Sequence, residues 1–221
     1  MGTESIRDDE NIYEDMVEKL SAELIRENFE LLSDTGSSRG VYALNAEFIK
    51  ENFELPFADV DTLSNSIVVK LSKDEYGQEQ NQTEYEVYKQ VREYQTMTEG
   101  EILSDICGIY EGDIRPEERR ADLARNLENI LATVYAISSN GEILLMERLV
   151  ESCDNSADLE DHAIMLLIER FSLHPDDIES EDSWMYDEDN DSKLVDYGCT
   201  KELVKRMDWK GDYEDPQDED E

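Results

Sequence analysis

The chain has 221 residues, 58 of them acidic and 20 basic, for a formal net charge of −38. That length allows one domain with a sizeable core, or one and a half. The charge excludes a nucleic-acid-binding surface, which needs a basic patch, and no stretch approaches the 18 apolar residues of a membrane-spanning helix.

Two accounts of the acidity compete. An acidic surface adapted to molar salt is screened within a few Å; an acidic decoy would imitate nucleic-acid phosphates in the groove of a basic protein. The acidic residues run through the whole length and only nine lysines occur, which favours the halophilic account. Recurring Ile/Val/Leu runs and 18 aromatic residues argue against a disordered chain. Cys107, Cys153 and Cys199 are odd in number, widely spaced and without a CxxC, so neither a disulfide framework nor a zinc site is expected. MGTESIRDDEN has neither a basic region nor an apolar run, so no signal peptide is expected.

Residues 1–12 are polar and expected to be loose. Tyr13 to Leu32 reads as one amphipathic helix, with Met16, Leu20, Leu24, Ile25, Phe29 and Leu32 at helical spacing. Gly36 to Leu44 is a small-residue turn containing Arg39 and Gly40 that leads into an apolar strand; in isolation it is an ordinary hairpin turn. Residues 45–65 read as a surface connection around Pro56.

The most informative stretch is Ser66 to Tyr94. Lys70 stands inside the strand-like run Ile67-Val68-Val69-Lys70-Leu71, and a buried ammonium needs an anionic partner. A helix expected from about Gln78 to Tyr94 offers Glu84, on the face that also carries Val87, Tyr88 and Val91. The bland alternatives are that Lys70 snorkels from an edge strand and that Glu84 sits on a solvated face.

Downstream, residues 95–112 have moderate helical spacing, and Arg115 to Asn129 is a clear helix with Pro116 in its first turn. Leu131 to Ser138 and Glu142 to Leu149 read as strands joined by the hairpin turn Asn140-Gly141. Asp158 to Phe171 is an apolar helix and His174 to Asp182 a loop. A second hairpin pairs Ser183–Tyr186 with Lys193–Gly198, followed by a short helix, Lys201 to Met207, and an acidic tail. Trp184 and Tyr186 are expected as core or interface aromatics rather than a base-stacking platform. His162 and His174, twelve apart with no third ligand, do not make a zinc site.

In motif order, residues 36–198 resemble the protein-kinase-like fold, and within it a group of small kinase-like proteins of phages and haloarchaea. These carry a lysine strand, a glycine, Gln-Asn and a glutamate, as Lys70, Gly77, Gln80-Asn81 and Glu84 do here. The resemblance implies an α+β fold: an antiparallel small-lobe sheet with flanking helices, plus a truncated helical second lobe. Its divisions would be 1–12, a loose N-terminus; 13–149, the small lobe; 150–211, the truncated lobe; and 212–221, a disordered tail.

The resemblance further implies ATP and Mg²⁺ as ligands. Gly36, Arg39 and Gly40 would lie over the phosphates, Lys70 would neutralise them with Glu84 holding it, and the backbone at Met146 and Glu147 would meet an adenine edge. Asp196, in Asp196-Tyr197-Gly198, would bind the metal; its bland alternative is a cap on the turn before Gly198.

Departures weaken the chemistry. Ser183 stands where a metal-binding asparagine belongs, and five residues back lies Ile178, so Asp177 is the weak candidate base. The expected protein is therefore a nucleotide binder, weak or inactive in phosphotransfer, of a halophile or its virus, located in the host cytoplasm or a virion. It would act through a protein partner and contact neither nucleic acid nor membrane directly. The alternatives are an acidic mimic that inhibits a DNA-binding enzyme, and a virion structural or accessory protein.

Overall fold

A computed structural model describes residues 5–34, 38–53, 66–106, 117–149, 151–152, 161–187 and 191–207. Its organising element is a five-stranded antiparallel sheet of β1 (Glu30–Ser33), β2 (Arg39–Ala43), β3 (Ile67–Ser72), β4 (Val134–Ile137) and β5 (Ile143–Glu147). The strand order is β1-β2-β3-β5-β4, so the lysine-bearing strand β3 is central.

Every residue of β3 is buried, and strand alternation sorts its side chains between two cores. Ile67, Val69 and Leu71, with Ile143 and Leu145 of β5, face one apolar cluster. Helices α1 (Ser5–Lys19), α2 (Ala22–Asn28) and α3 (Ala46–Asn52) cover it through Met16, Val17, Ile25 and Ile49. Val68, Leu144 and Met146 face the second cluster, which holds α4 (Glu75–Glu93), α5 (Glu99–Asp105), α6 (Glu117–Ile130) and α7 (Asp161–Phe171). Lys70 pairs across the sheet with Val41 and Leu144, on that second side.

A smaller sheet joins β6 (Glu151–Ser152), β7 (Trp184–Tyr186) and β8 (Ser192–Leu194). The short helix α8 (Pro175–Glu179) precedes β7 in the chain, and α9 (Lys201–Arg206) follows β8. The second cluster runs without interruption from Val68 and Val87 to Trp184, Leu194 and Tyr197, across the division expected at 149/150.

Several expected elements differ in extent. Helix begins at Ser5, inside the stretch expected to be loose. The long helix expected over Tyr13 to Leu32 is three elements. Ser21 caps α2 by accepting a hydrogen bond from the Leu24 amide at 3.3 Å, and α2 stops at Asn28 because Glu30–Ser33 is recruited to the sheet edge beside β2. Leu31 and Leu32 are consequently exposed on that edge.

The central helix starts at Glu75, with Asp74 as its cap, so Gly77 lies within it. Residues 46–52 of the expected surface connection are helical, and His174 to Asp182 contains α8 and a 3-10 turn. Both expected hairpins form, with Trp184 opposite Leu194 and Gly141 at φ +73° in the Asn140-Gly141 turn. Gly36, Pro56, Pro116, Cys107, Cys153 and the acidic tail lie outside the described residues, as does the side chain of His162. Among the described residues no helix is long and apolar enough to cross a membrane.

Candidate functional site

Lys70 projects from the middle of β3 toward α4 with 6 % of its surface exposed, while Glu84 is completely buried. The Lys70 Nζ donates to both Glu84 oxygens, at 2.8 and 3.0 Å, and to the Val195 carbonyl at 2.5 Å. Strand periodicity aims the lysine at the helix. Helical spacing puts Glu84 on the same face as Val87, Tyr88 and Val91, all buried. Both bland alternatives therefore fail: β3 is central, and Glu84 meets no solvent.

Two further segments complete the centre. Arg39, on β2, forms an ion pair with Glu84 Oε1 at 2.9 Å through Nη1 and donates to Asp196 through Nη2. The Tyr197 amide donates to Glu84 Oε1 at 3.3 Å. Residues from β2, β3, α4 and the segment after β8 thus form one cluster of two cations and two carboxylates, formally neutral within a chain of charge −38. Such pairing offsets the desolvation that an isolated buried charge would suffer.

Titration directions follow from this crowding. Burial would lower Arg39, but Glu84 and Asp196 outweigh it and raise its pKa. Burial lowers Lys70, more than Glu84 restores, with Arg39 adding to the effect. What burial Asp196 has would raise its carboxyl, but Arg39 and Lys70 hold it below the usual range. The Asp196 side chain, 51 % exposed, is the cluster's one solvent-facing member.

Sequence reasoning had assigned Gln80 and Asn81 no contact of their own, yet they knit the site together. Fully buried Asn81 donates to the Gly141 and Glu142 carbonyls at 3.0 and 3.3 Å and accepts from Arg39 at 3.4 Å. Gln80 donates to Cys199 Sγ at 2.8 Å. The available signal was spacing: Gln80 and Asn81 stand four and three residues before Glu84, so each neighbours it on the helix surface.

Glycines let the surrounding turns close on this helix. A Cβ at Gly77 would collide with the Ser38 carbonyl oxygen, and one at Gly198 would stand 2.7 Å from the Gln80 carbonyl oxygen. Gly40 sits in β2 beside Tyr42.

The remaining expected site residues fall as follows. Met146 is a core side chain. The Glu147 and Arg148 amides already donate to Thr133 and Ser66 carbonyls, each at 2.8 Å. The Glu147 carboxylate anchors Lys193 of β8 at 2.8 and 3.0 Å. Ser183 is buried, and its carbonyl accepts the Val195 amide at 2.8 Å. Trp184 is wholly buried and donates to the Ile178 carbonyl at 2.7 Å.

Asp177, on α8, lies within the electrostatic reach of Asp196, His174 and Arg39. Burial pushes its carboxyl up to about 6, with the neighbouring Cys199 pulling the other way. Its Oδ2 is buried without a hydrogen-bond partner. His174, also buried, precedes α8 with Nδ1 4.0 Å from Asp176.

A divalent ion needs several oxygen ligands at once. Here Asp196 is engaged by Arg39 and Glu84 by two cations, and among the described residues no three His, Cys, Asp or Glu side chains converge at metal-ligand spacing. While Arg39 is in place, this donor set does not fit Mg²⁺. A cavity of about 690 Å³ lined by Tyr13, Tyr85, Tyr88, Tyr135, Lys89 and Arg92 has none of the cluster residues in its wall.

No family model, curated protein or solved structure matches the chain.

Proposed function

We propose that this chain is a kinase-like nucleotide-binding protein, weak or inactive in phosphoryl transfer, with a regulatory or binding role. The observation that carries the reading is the bidentate ion pair between Lys70 of the central strand and Glu84 of the following helix. Asp196 of the Asp-Tyr-Gly segment stands in the same cluster. A lysine on the third strand, held by a glutamate of the next helix, is how kinase-like folds present an ammonium to nucleotide phosphates. The Lys70–Glu84 pair and the distant Asp196 meet in that arrangement, which supports the reading more than any single motif does.

A ligand would approach from the Asp196 side, where the cluster meets solvent. Phosphate oxygens there would find Lys70 and Arg39, whose charges are otherwise spent on Glu84 and Asp196. For phosphotransfer, Asp177 is the group that would accept a hydroxyl proton. A carboxyl near 6 is well poised for that, but Ser183 supplies no amide oxygen to hold a metal opposite it.

ATP titration by thermal unfolding in molar KCl tests the proposal. Binding stabilises by RT ln(1 + [L]/Kd), roughly 2.7 kcal/mol at a hundredfold excess over Kd. A rise in Tm with ATP that vanishes in Lys70→Met is expected. No rise in the wild type at millimolar ATP would remove the reading.

A further inference from the structure

We infer that Arg39 is the resident cation of this site: its guanidinium takes the position at Asp196 that a divalent ion would need, and a nucleoside triphosphate binds here without metal. The ligand half of this inference rests on the nucleotide reading above. The Arg39 half rests on the geometry of Arg39 alone.

The guanidinium is held from several directions. One arm, Nη2, meets Asp196 Oδ1; the other, Nη1, meets Glu84 Oε1 at 2.9 Å and Asn81 Oδ1 at 3.4 Å. Only 7 % of Arg39 is exposed, and it extends from a strand paired with β3 over its whole length. A planar fork with fixed donors, once buried among three acceptors, is a positioned group rather than a surface side chain.

Charge points the same way. Arg39 and Lys70 already balance Glu84 and Asp196, so a divalent ion would bring two uncompensated positive charges beside two fixed cations. Asp196 would also have to leave its guanidinium partner to coordinate it. A polyphosphate faces the opposite situation: Asp196, 51 % exposed, is the cluster's solvent-facing member and is held by Arg39, so a phosphate that displaces its carboxylate meets a guanidinium already in place. Bare ATP therefore complements the site better than the ion does.

The first arm of the test uses Mn²⁺, read by the loss of its free electron-paramagnetic-resonance signal in molar KCl, where surface carboxylates are screened. Wild type and Asp196→Asn should bind Mn²⁺ equally weakly. Arg39→Gln, which vacates the position and keeps Glu84 paired with Lys70, should gain one site at least tenfold tighter. That site should disappear in Arg39→Gln/Asp196→Asn and should not form in Arg39→Lys. Wild-type Mn²⁺ binding that is lost on Asp196→Asn would overturn the inference, and so would an Arg39→Gln protein, folded by circular dichroism, that gains no site.

The second arm compares the ATP-induced rise in Tm with Mg²⁺ and with EDTA. Equal rises in the wild type support metal-free binding, whereas a rise only with Mg²⁺ overturns it and leaves the nucleotide reading standing. No rise under either condition, with the Mn²⁺ results as expected, removes the nucleotide reading and leaves Arg39 as the cation of Asp196.

Discussion

At the residue scale, Glu84 and Lys70 are unequal partners although they form one pair. Glu84 pairs with Lys70 and Arg39 and accepts from the Tyr197 amide, so Glu84→Ala leaves the buried Lys70 without a carboxylate and Arg39 with Asp196 alone. It should cost about 3–5 kcal/mol. Lys70→Met leaves Glu84 with Arg39 and the amide and should cost less than half as much, so urea midpoints in molar KCl should rank wild type, Lys70→Met, Glu84→Ala. A ranking with Lys70→Met below Glu84→Ala would mean that the lysine, not the carboxylate, holds the cluster.

Asp177 makes a second residue-scale prediction. Its folded carboxyl is raised to about 6 from an ordinary value near 3.8, so the folded protein keeps a proton that the unfolded chain releases. Stability contributed by this group is therefore full below pH 4 and lost as pH rises toward 6. Asp177→Asn should be more stable than wild type above pH 7, by about 1–2 kcal/mol once partial solvent screening of the carboxylate is discounted. That advantage should shrink on acidification through pH 6 to 5; an advantage independent of pH would sink the assignment.

At the element scale, two helical glycines should respond oppositely to alanine. Gly77→Ala drives a methyl into the Ser38 carbonyl, a backbone atom that cannot step aside without shifting the turn before β2. A loss of about 2 kcal/mol or more is expected. Gly100, on α5, has open space around it, and Gly100→Ala should be neutral or stabilising by about 0.5 kcal/mol. Chemical denaturation of the two variants checks both signs.

This contrast also explains what the sequence could and could not reveal. The Lys70–Glu84 pair was legible because a charge in an apolar strand demands a partner, and helix spacing left one candidate. The Asn140-Gly141 hairpin was legible because its turn chemistry is local. Gly77 was read as a boundary, because a glycine beside polar residues looks like a stop. The reason it is tolerated inside α4, contact with Ser38, is tertiary. The break of the first helix at Ser21 and the recruitment of Leu31 and Leu32 to the sheet edge were hidden likewise, since helical periodicity continues through residues that β2 captures. The kinase-like resemblance placed Arg39 over the phosphates; its bond to Asp196 spans 157 positions, and no local pattern encodes it.

At the scale of the whole molecule, the acidity and the cluster separate. The cluster is neutral and, Asp196 apart, buried, whereas most of the −38 charge repels itself through solvent. Stability should therefore rise steeply from 0.1 to 2 M KCl through surface screening, with Tm measured across that range. The mimicry alternative expects full folding in dilute buffer and tight, salt-sensitive capture of a basic protein. A Tm independent of salt would count against the halophilic reading.

One end of α4 gathers the molecule's remote parts. Its first two turns carry the contacts to the Ser38 turn through Gly77, to the Gly141 turn through Gln78 and Asn81, and to Gly198 through Gln80. Those three turns belong to β2, to the β4–β5 hairpin and to the segment after β8, each otherwise far from the others in the chain. A helix gripped this way cannot swing on its own: to tilt its first turn outward it must release three loops and the Glu84 ion pairs together. Opening of this end is therefore expected to be cooperative, with the amides of the first two turns of α4 exchanging their hydrogens together with those around the Lys70–Glu84 pair.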